Sequence, residues 1–321
     1  MVKMSSCFSA RILRESFSFL FLSFFLITSR VQGDGVMRCW TIVVEKLNIT
    51  PDEGICLAVL NAASRHGLTD LATDVLRVLK SAGIEWQEHH FAAVVEAFCS
   101  NSQIKEAMVT LAIMRNSDIP PNLKTTRPIL EAISASTDEL DNTWKLIDEI
   151  HEERDEVDTA ALNVVIQASV LLGDLQRAMG TYKSFSEYGA SPNIETFNTL
   201  LDGSIASKHR QLGDVLLDEM KAANVLPDAE TFERMIHLCL SQETYEDAFF
   251  YLEEMKAAGY VPPLRMYVKI VRRCLVAGDS RYKMAVEEMG EVGYSIPETL
   301  KRNISKYVDG GSVSAEDMEE E

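Results

Sequence analysis

A proline followed by an acid, an amide or a second proline returns along this chain at a fixed interval, and that interval limits the possible folds more than any other feature. Pro192-Asn193, Pro227-Asp228, Pro262-Pro263 and Pro297-Glu298 stand 35 residues apart, and Val157-Asp158, Pro121-Asn122, Trp86-Gln87 and Pro51-Asp52 extend the series backward in steps of 35 or 36. A period of this size marks a repeated supersecondary unit. The units run 53–87, 88–122, 123–158, 159–193, 194–228, 229–263 and 264–298.

Other positions agree with this register. Four residues before the close stand Asn48, Gly83, Asp118, Gly189, Asn224 and Gly259, residue types that tolerate the left-handed conformation ending a helix. The twentieth residue is small, as Ala72, Ala107, Ala178, Gly213 and Ala248, which predicts a close approach of two helices. The twenty-seventh is large and apolar, as Leu79, Met114, Phe185, Met220 and Met255, and completes a buried stripe. A second break falls mid-unit at Gly67, Ser102, Gly173-Asp174, Thr244 and Gly278-Asp279. Each unit therefore reads as helix, turn, helix, stop. Such a hairpin cannot bury its apolar face alone, so the expected fold is all-α, a right-handed superhelical solenoid of tandem helix-turn-helix repeats with a 35-residue period.

The ends depart from the repeat. Residues 34–52 fit a half repeat with only the second helix, with Val44 at the large apolar position and Asn48 at the stop. Residues 299–311 are expected to cap the array by a helix, and 312–321 form an acidic tail expected to be disordered. Residues 1–33 are a separate targeting-like or non-native segment, with Lys3, Arg11, Arg14 and Arg30 against Glu15 and an apolar run from Phe17 to Ile27. Eleven residues fall short of the ~20 that span a bilayer. The segment fits either a secretory signal or an organellar transit peptide.

Net charge is −18, so the chain as a whole repels phosphate, and binding of nucleic acid requires local patches. The six cysteines lack any metal-ligand spacing and read as buried apolar side chains, while the six histidines fall at unrelated positions of the repeat. The chain holds no glycine-rich phosphate loop, HExxH, Ser-His-Asp order or deaminase signature. Neither a cofactor, a metal nor a small-molecule substrate is expected.

The 35-residue period, the Pro-Asp or Pro-Asn closure and the run Ile194-Glu195-Thr196-Phe197-Asn198-Thr199-Leu200-Leu201 resemble the pentatricopeptide repeat family. Tetratricopeptide repeats have the shorter period of about 34. The resemblance covers residues 36–298 and is strongest over 159–263. It implies a non-catalytic scaffold for single-stranded RNA in mitochondria or plastids, acting in transcript processing, stability or translation, with one base per repeat read by the fifth and last residues. Asn198 with Asp228 resembles a uracil-preferring pair and Asn163 with Asn193 a pyrimidine pair. The alternative role for these asparagines is capping the starts of their helices.

The remaining units depart from that pattern, pairing Leu57 with Gln87, Ala92 with Asn122, Arg127 with Asp158, Glu233 with Pro263 and Val268 with Glu298. The second position, where the family favours an apolar residue, carries Lys124, Glu195, Glu230 and Arg265. Candidate phosphate contacts are Lys208, Arg210, Arg272 and Arg273, which read first as solvated helix ends and only second as phosphate contacts. Single-stranded RNA is the expected partner and DNA is not. The competing role is a protein-binding scaffold, in a mitochondrial assembly or ribosome-associated complex, that takes its partner in the concave groove. Mitochondrial localisation follows from the resemblance, and secretion follows if residues 1–33 act as a signal peptide.

Overall fold

The computed structural model describes residues 33–153 and 156–309; the targeting-like segment before Gly33 and the acidic tail lie outside them. Sixteen α-helices and one π-helical stretch account for the regular structure of the described residues. The described residues divide into two compact units, one within 33–172 with 180–191 and the other 173–179 with 192–309. Each is a run of an all-α repeat solenoid.

In the first unit, α1 (Gly33–Trp40) continues into a π-helix (Thr41–Lys46). Helical hairpins follow: α2 (Glu53–His66) with α3 (Thr69–Ser81), α4 (Glu88–Ser100) with α5 (Ile104–Asn116), and α6 (Leu123–Ile133) with α7 (Thr137–Glu152). Next come α8 (Thr159–Leu171) and α9 (Leu175–Ser184), which crosses the division between the units. The first helices α2, α4, α6 and α8 stack in succession. The second unit pairs α10 (Ile194–Ala206) with α11 (Arg210–Ala222), α12 (Ala229–Leu240) with α13 (Asp247–Ala257), and α14 (Leu264–Ala277) with α15 (Tyr282–Glu291). Helix α16 (Glu298–Val308) lies against α14, and α10, α12 and α14 stack one on the next.

Two backbone positions punctuate the hairpins, although the α6–α7 and α12–α13 turns have no positive φ at the fifteenth residue. Among the described residues, all positive φ angles fall either at the fifteenth residue of a repeat (Gly67, Ser102, Gly173, Lys208, Gly278) or at a helix stop (Asn48, Gly83, Asp118, Gly189, Asn224, Gly259, Gly293). The stops thus adopt the left-handed geometry that their residue types favour. Gly293 lies four residues before Pro297, and Pro297 rather than Glu298 is the N-cap of α16. The last hairpin is therefore one residue shorter than the 264–298 assignment, and its buried methionine is Met289.

The large apolar positions Leu79, Met114, Phe185, Met220 and Met255 are fully buried. Val43, not Val44, fills the corresponding site near the N-terminus, since the wider π turn rotates the buried face by one residue. Its core joins Val36 and Trp40 to Val59, Leu60, Val75 and Leu79, and Trp40 Nε1 donates to Asp74 across 2.7 Å. Among the described residues no helix is long and apolar enough to cross a membrane.

Candidate nucleic-acid interface

Helical geometry sorts each first helix into two faces. In α10, α12 and α14 the fourth, seventh and eighth positions are buried: Phe197, Leu200, Leu201; Phe232, Met235, Ile236; Tyr267, Ile270, Val271. Positions two, five, six and nine therefore share the opposite face. They are Glu195, Asn198, Thr199 and Asp202 on α10, then Glu230, Glu233, Arg234 and His237 on α12, then Arg265, Val268, Lys269 and Arg272 on α14. Charge along this face runs from acidic through mixed to basic. Arg234 Nε lies 2.9 Å from Asp202 and Arg265 Nη2 lies 2.6 Å from Glu233, so neighbouring helices are laced by ion pairs. The Arg234 and Arg265 pairs are partly exposed and add little to stability.

The structure brings Asn198 and Asp228 together. Asn198 Nδ2 donates to Asp228 Oδ1 at 3.4 Å, and Thr231 Oγ1 stands 2.8 Å from Asn198 Oδ1 and 2.9 Å from Asp228 Oδ1, its single hydrogen available to either. Asp228 is also the N-cap of α12, accepting from the Thr231 amide at 2.8 Å. The same capping recurs. Asp52, Asn122, Asp158 and Asn193 each accept a backbone amide from the first turn of the helix that follows. Capping thus belongs to the last residue of the repeat, while Asn163 and Asn198 sit in the second turn with 3% and 7% exposure. Asn163 and Asn193 belong to different compact units. Thr231 was not singled out in the sequence, although Thr125, Thr196 and Thr231 share the third position of their repeats.

The candidate phosphate contacts divide. Lys208 is exposed in the α10–α11 turn, where its carbonyl accepts from Gln242 Nε2 at 3.2 Å. Arg210 pairs with Asp214 and with Asp247 at 3.2 Å and lies over the Tyr251 ring, so it joins α11 to α13. Arg273 donates to the Gln242 carbonyl at 2.8 Å and stacks on Tyr245. Arg210 and Arg273 are structural ties. Arg272 instead borders an open cavity on α14 with Arg265 and Lys269.

Burial pushes the thiols of Cys56 and Cys99 up to about 12 and those of Cys239 and Cys274 up to about 11, which makes their thiolates scarce at neutral pH. Glu53, His89 and His90 gather donor atoms within 4.8 Å of one another. His90 Nδ1 accepts from the Gln87 amide at 3.1 Å, so in the neutral ring Nε2 carries the hydrogen, 3.8 Å from Glu53. A metal at Nε2 would require moving that hydrogen to Nδ1 and giving up the Gln87 contact, so the geometry fits a helix start.

A family model described as pentatricopeptide repeat-containing protein matches residues 53–185, and a second, pentatricopeptide repeat domain, matches 215–275, together more than half of the chain. Among solved structures, the pentatricopeptide repeat protein PPR10 in complex with an 18-nt psaJ RNA element, a maize protein, is 17% identical and superposes with a TM-score of 0.50. The match covers 92% of this chain and 42% of that one, so the chain spans about two fifths of the length of PPR10. The PPR domain of Arabidopsis thaliana protein-only RNase P 1, in complex with tRNA, is 13% identical with a TM-score of 0.48 over 57% of this chain and 96% of that domain. At these identities the likeness is one of fold. No curated protein matches the sequence.

Proposed function

This chain belongs to the pentatricopeptide repeat family, and from that premise we propose that it is a non-catalytic scaffold for single-stranded RNA. The observation that carries this reading is the Asn198–Asp228–Thr231 cluster, which fixes a nearly buried amide of α10 beside a carboxylate. A planar amide that donates and accepts side by side matches the Watson-Crick edge of a base. The role extends to mitochondrial transcript processing, stability or translation, supported by the basic, serine-rich first 33 residues together with the family. A reporter fused to those residues that is secreted instead of imported removes the mitochondrial placement.

Selection of RNA by the full chain from a randomised single-stranded pool, followed by sequencing, tests the base-reading role. The wild type is expected to enrich a base preference at one position, and Asn198→Ala and Thr231→Val to erase it. Asp52→Ala supplies the control: it removes an N-cap worth about 1 kcal/mol without touching the cluster, so it lowers the melting temperature and keeps the preference. No RNA recovered above background would defeat the reading. The protein-scaffold alternative draws on the net charge of −18 and on Glu233, whose fifth-position carboxylate is tied to Arg265. Partners captured only through RNase-sensitive links would remove that alternative.

A further inference from the structure

We propose that the outward face of the second helices α11, α13 and α15 is a docking surface for a basic amphipathic helix of a protein partner, which lies across them with one contact per repeat. Each of these helices turns its buried side to the core: Gly213, Leu216, Leu217 and Met220 on α11, Ala248, Tyr251, Leu252 and Met255 on α13, Tyr282, Ala285 and Met289 on α15. Five residues before the buried methionines stand Val215, Phe250 and Met284. At about 100° per residue they fall on the opposite side of their helices. They are 48%, 58% and 65% exposed. A single exposed apolar side chain is ordinary, but three large ones at one position of consecutive helices form a row of the kind that marks an interaction site. The helices that carry it lie side by side in one compact unit, since Tyr251 Oη donates to Asp214 at 2.9 Å and Lys256 bridges Glu253 and Glu288.

Charge beside the row selects the occupant. The third and fourth residues beyond each apolar side chain are its neighbours on the helix surface, and all of them are acidic: Asp218 and Glu219, Glu253 and Glu254, Glu287 and Glu288. Lys256 takes Glu253 and Glu288, whereas Asp218, Glu254 and Glu287, one on each helix, are exposed and have no ion-pair partner among the described residues. The exposed cations of these helices are Lys221 and Lys283, too few to neutralise that row. An apolar row with an acidic flank fits Lys or Arg beside apolar anchors, and it repels a phosphate chain or a second copy of the same face. Spacing selects a helix. Packed helices stand ~8–10 Å apart, and two turns of an α-helix rise about 10.8 Å. A helix crossing α11, α13 and α15 therefore brings every seventh side chain over Val215, Phe250 and Met284 in turn. The inference is independent of the RNA-binding reading, whose residues lie on the first helices and at the repeat closures.

The probe is a fluorescent, alanine-based helix of about 20 residues, with leucine at every seventh position and lysine directly after each leucine, titrated with the full chain by anisotropy. Wild type is expected to bind it roughly tenfold more tightly than a scrambled peptide of the same composition. Phe250→Asp should abolish that preference by removing the central anchor, and should leave the melting temperature unchanged because the side chain is exposed. Asp218→Lys combined with Glu287→Lys should also lose it and should instead prefer a peptide with glutamate in place of lysine, a reversal that misfolding cannot imitate. Equal binding of the ordered and scrambled peptides by wild type overturns the proposal, as does equal binding by wild type and Phe250→Asp. Dimerisation in sedimentation that Phe250→Asp abolishes would assign the face to a second copy. Binding to vesicles of phosphatidylcholine and phosphatidylglycerol that the same variant loses would assign it to a membrane, and RNA affinity that it loses would assign it to RNA. Each of these three overturns the proposal. A wild type that prefers the ordered peptide but recovers no RNA keeps this surface and defeats the RNA-binding reading alone.

Discussion

Asn198 enters the fold with half of its hydrogen-bonding capacity committed. Its oxygen faces the Thr231 hydroxyl and one amide hydrogen faces Asp228, leaving one hydrogen and one lone pair. Such fixing limits the rotamer entropy lost when a base docks. The equivalent third position of α4 holds His90, fully buried, whose pKa is lowered by burial and by His89, against an opposing pull from Glu53. A histidine kept neutral in the fold takes up its proton more readily when unfolded, so stability should fall as pH drops below ~6.5. His237, lowered by burial and by Lys269 with Asp202 opposing, acts in the same direction. In His90→Gln the side chain keeps an acceptor for the Gln87 amide but cannot titrate. Its melting temperature should lose less between pH 7.5 and 5.5 than that of the wild type, with His237 accounting for a residual loss. Parallel losses in both proteins would contradict this assignment.

At the scale of the helices, left-handed stops were legible as Gly, Asn and Asp at fixed intervals because the steric rule acts within a few residues. Lys208 was not legible. It adopts a φ of +53° at a position where Gly67, Gly173 and Gly278 stand elsewhere, and its residue type gives no sign of it. The close approach at the twentieth position was legible from its small residues, but its tightness at Gly213 was not. Gly213 aligns with Ala72, Ala107, Ala178 and Ala248, so helix propensity alone predicts that Gly213→Ala gains up to ~1 kcal/mol. A Cβ there would stand 2.3 Å from Leu238 Cδ2, and Leu238 is itself fully buried. We expect a net loss of about 1–2 kcal/mol in urea melts, and a less than additive cost when combined with Leu238→Val. A midpoint at or above the wild type would mean that Leu238 repacks freely.

Taken as a whole, the molecule carries its positive face in a negative field. A net charge of −18 acts at range when salt is low, since the Debye length grows from ~8 Å at 0.15 M to ~30 Å at 0.01 M. Short-range contacts act only after arrival. Stopped-flow association of a short RNA should therefore slow as salt is lowered from about 0.15 to 0.02 M, opposite to a basic RNA-binding protein, while dissociation also slows. Association that accelerates at low salt would show that the α14 face dominates the field.

What the amino-acid sequence determined by itself is the repeat: its period, its helical hairpins, its stops and its buried stripe all follow from local sterics and apolar spacing. The pairing of Asn198 with Asp228 was legible through family resemblance. Tertiary structure decided what needs neighbours. Thr231 joins Asn198 only because α12 stacks on α10, Arg210 and Arg273 are absorbed by groups on adjacent helices, and Arg265, Lys269 and Arg272 border one cavity with Pro263 and Pro297. Those contacts join residues some 30 positions apart, a distance over which a local pattern specifies the fold of each hairpin but not which polar atoms will meet.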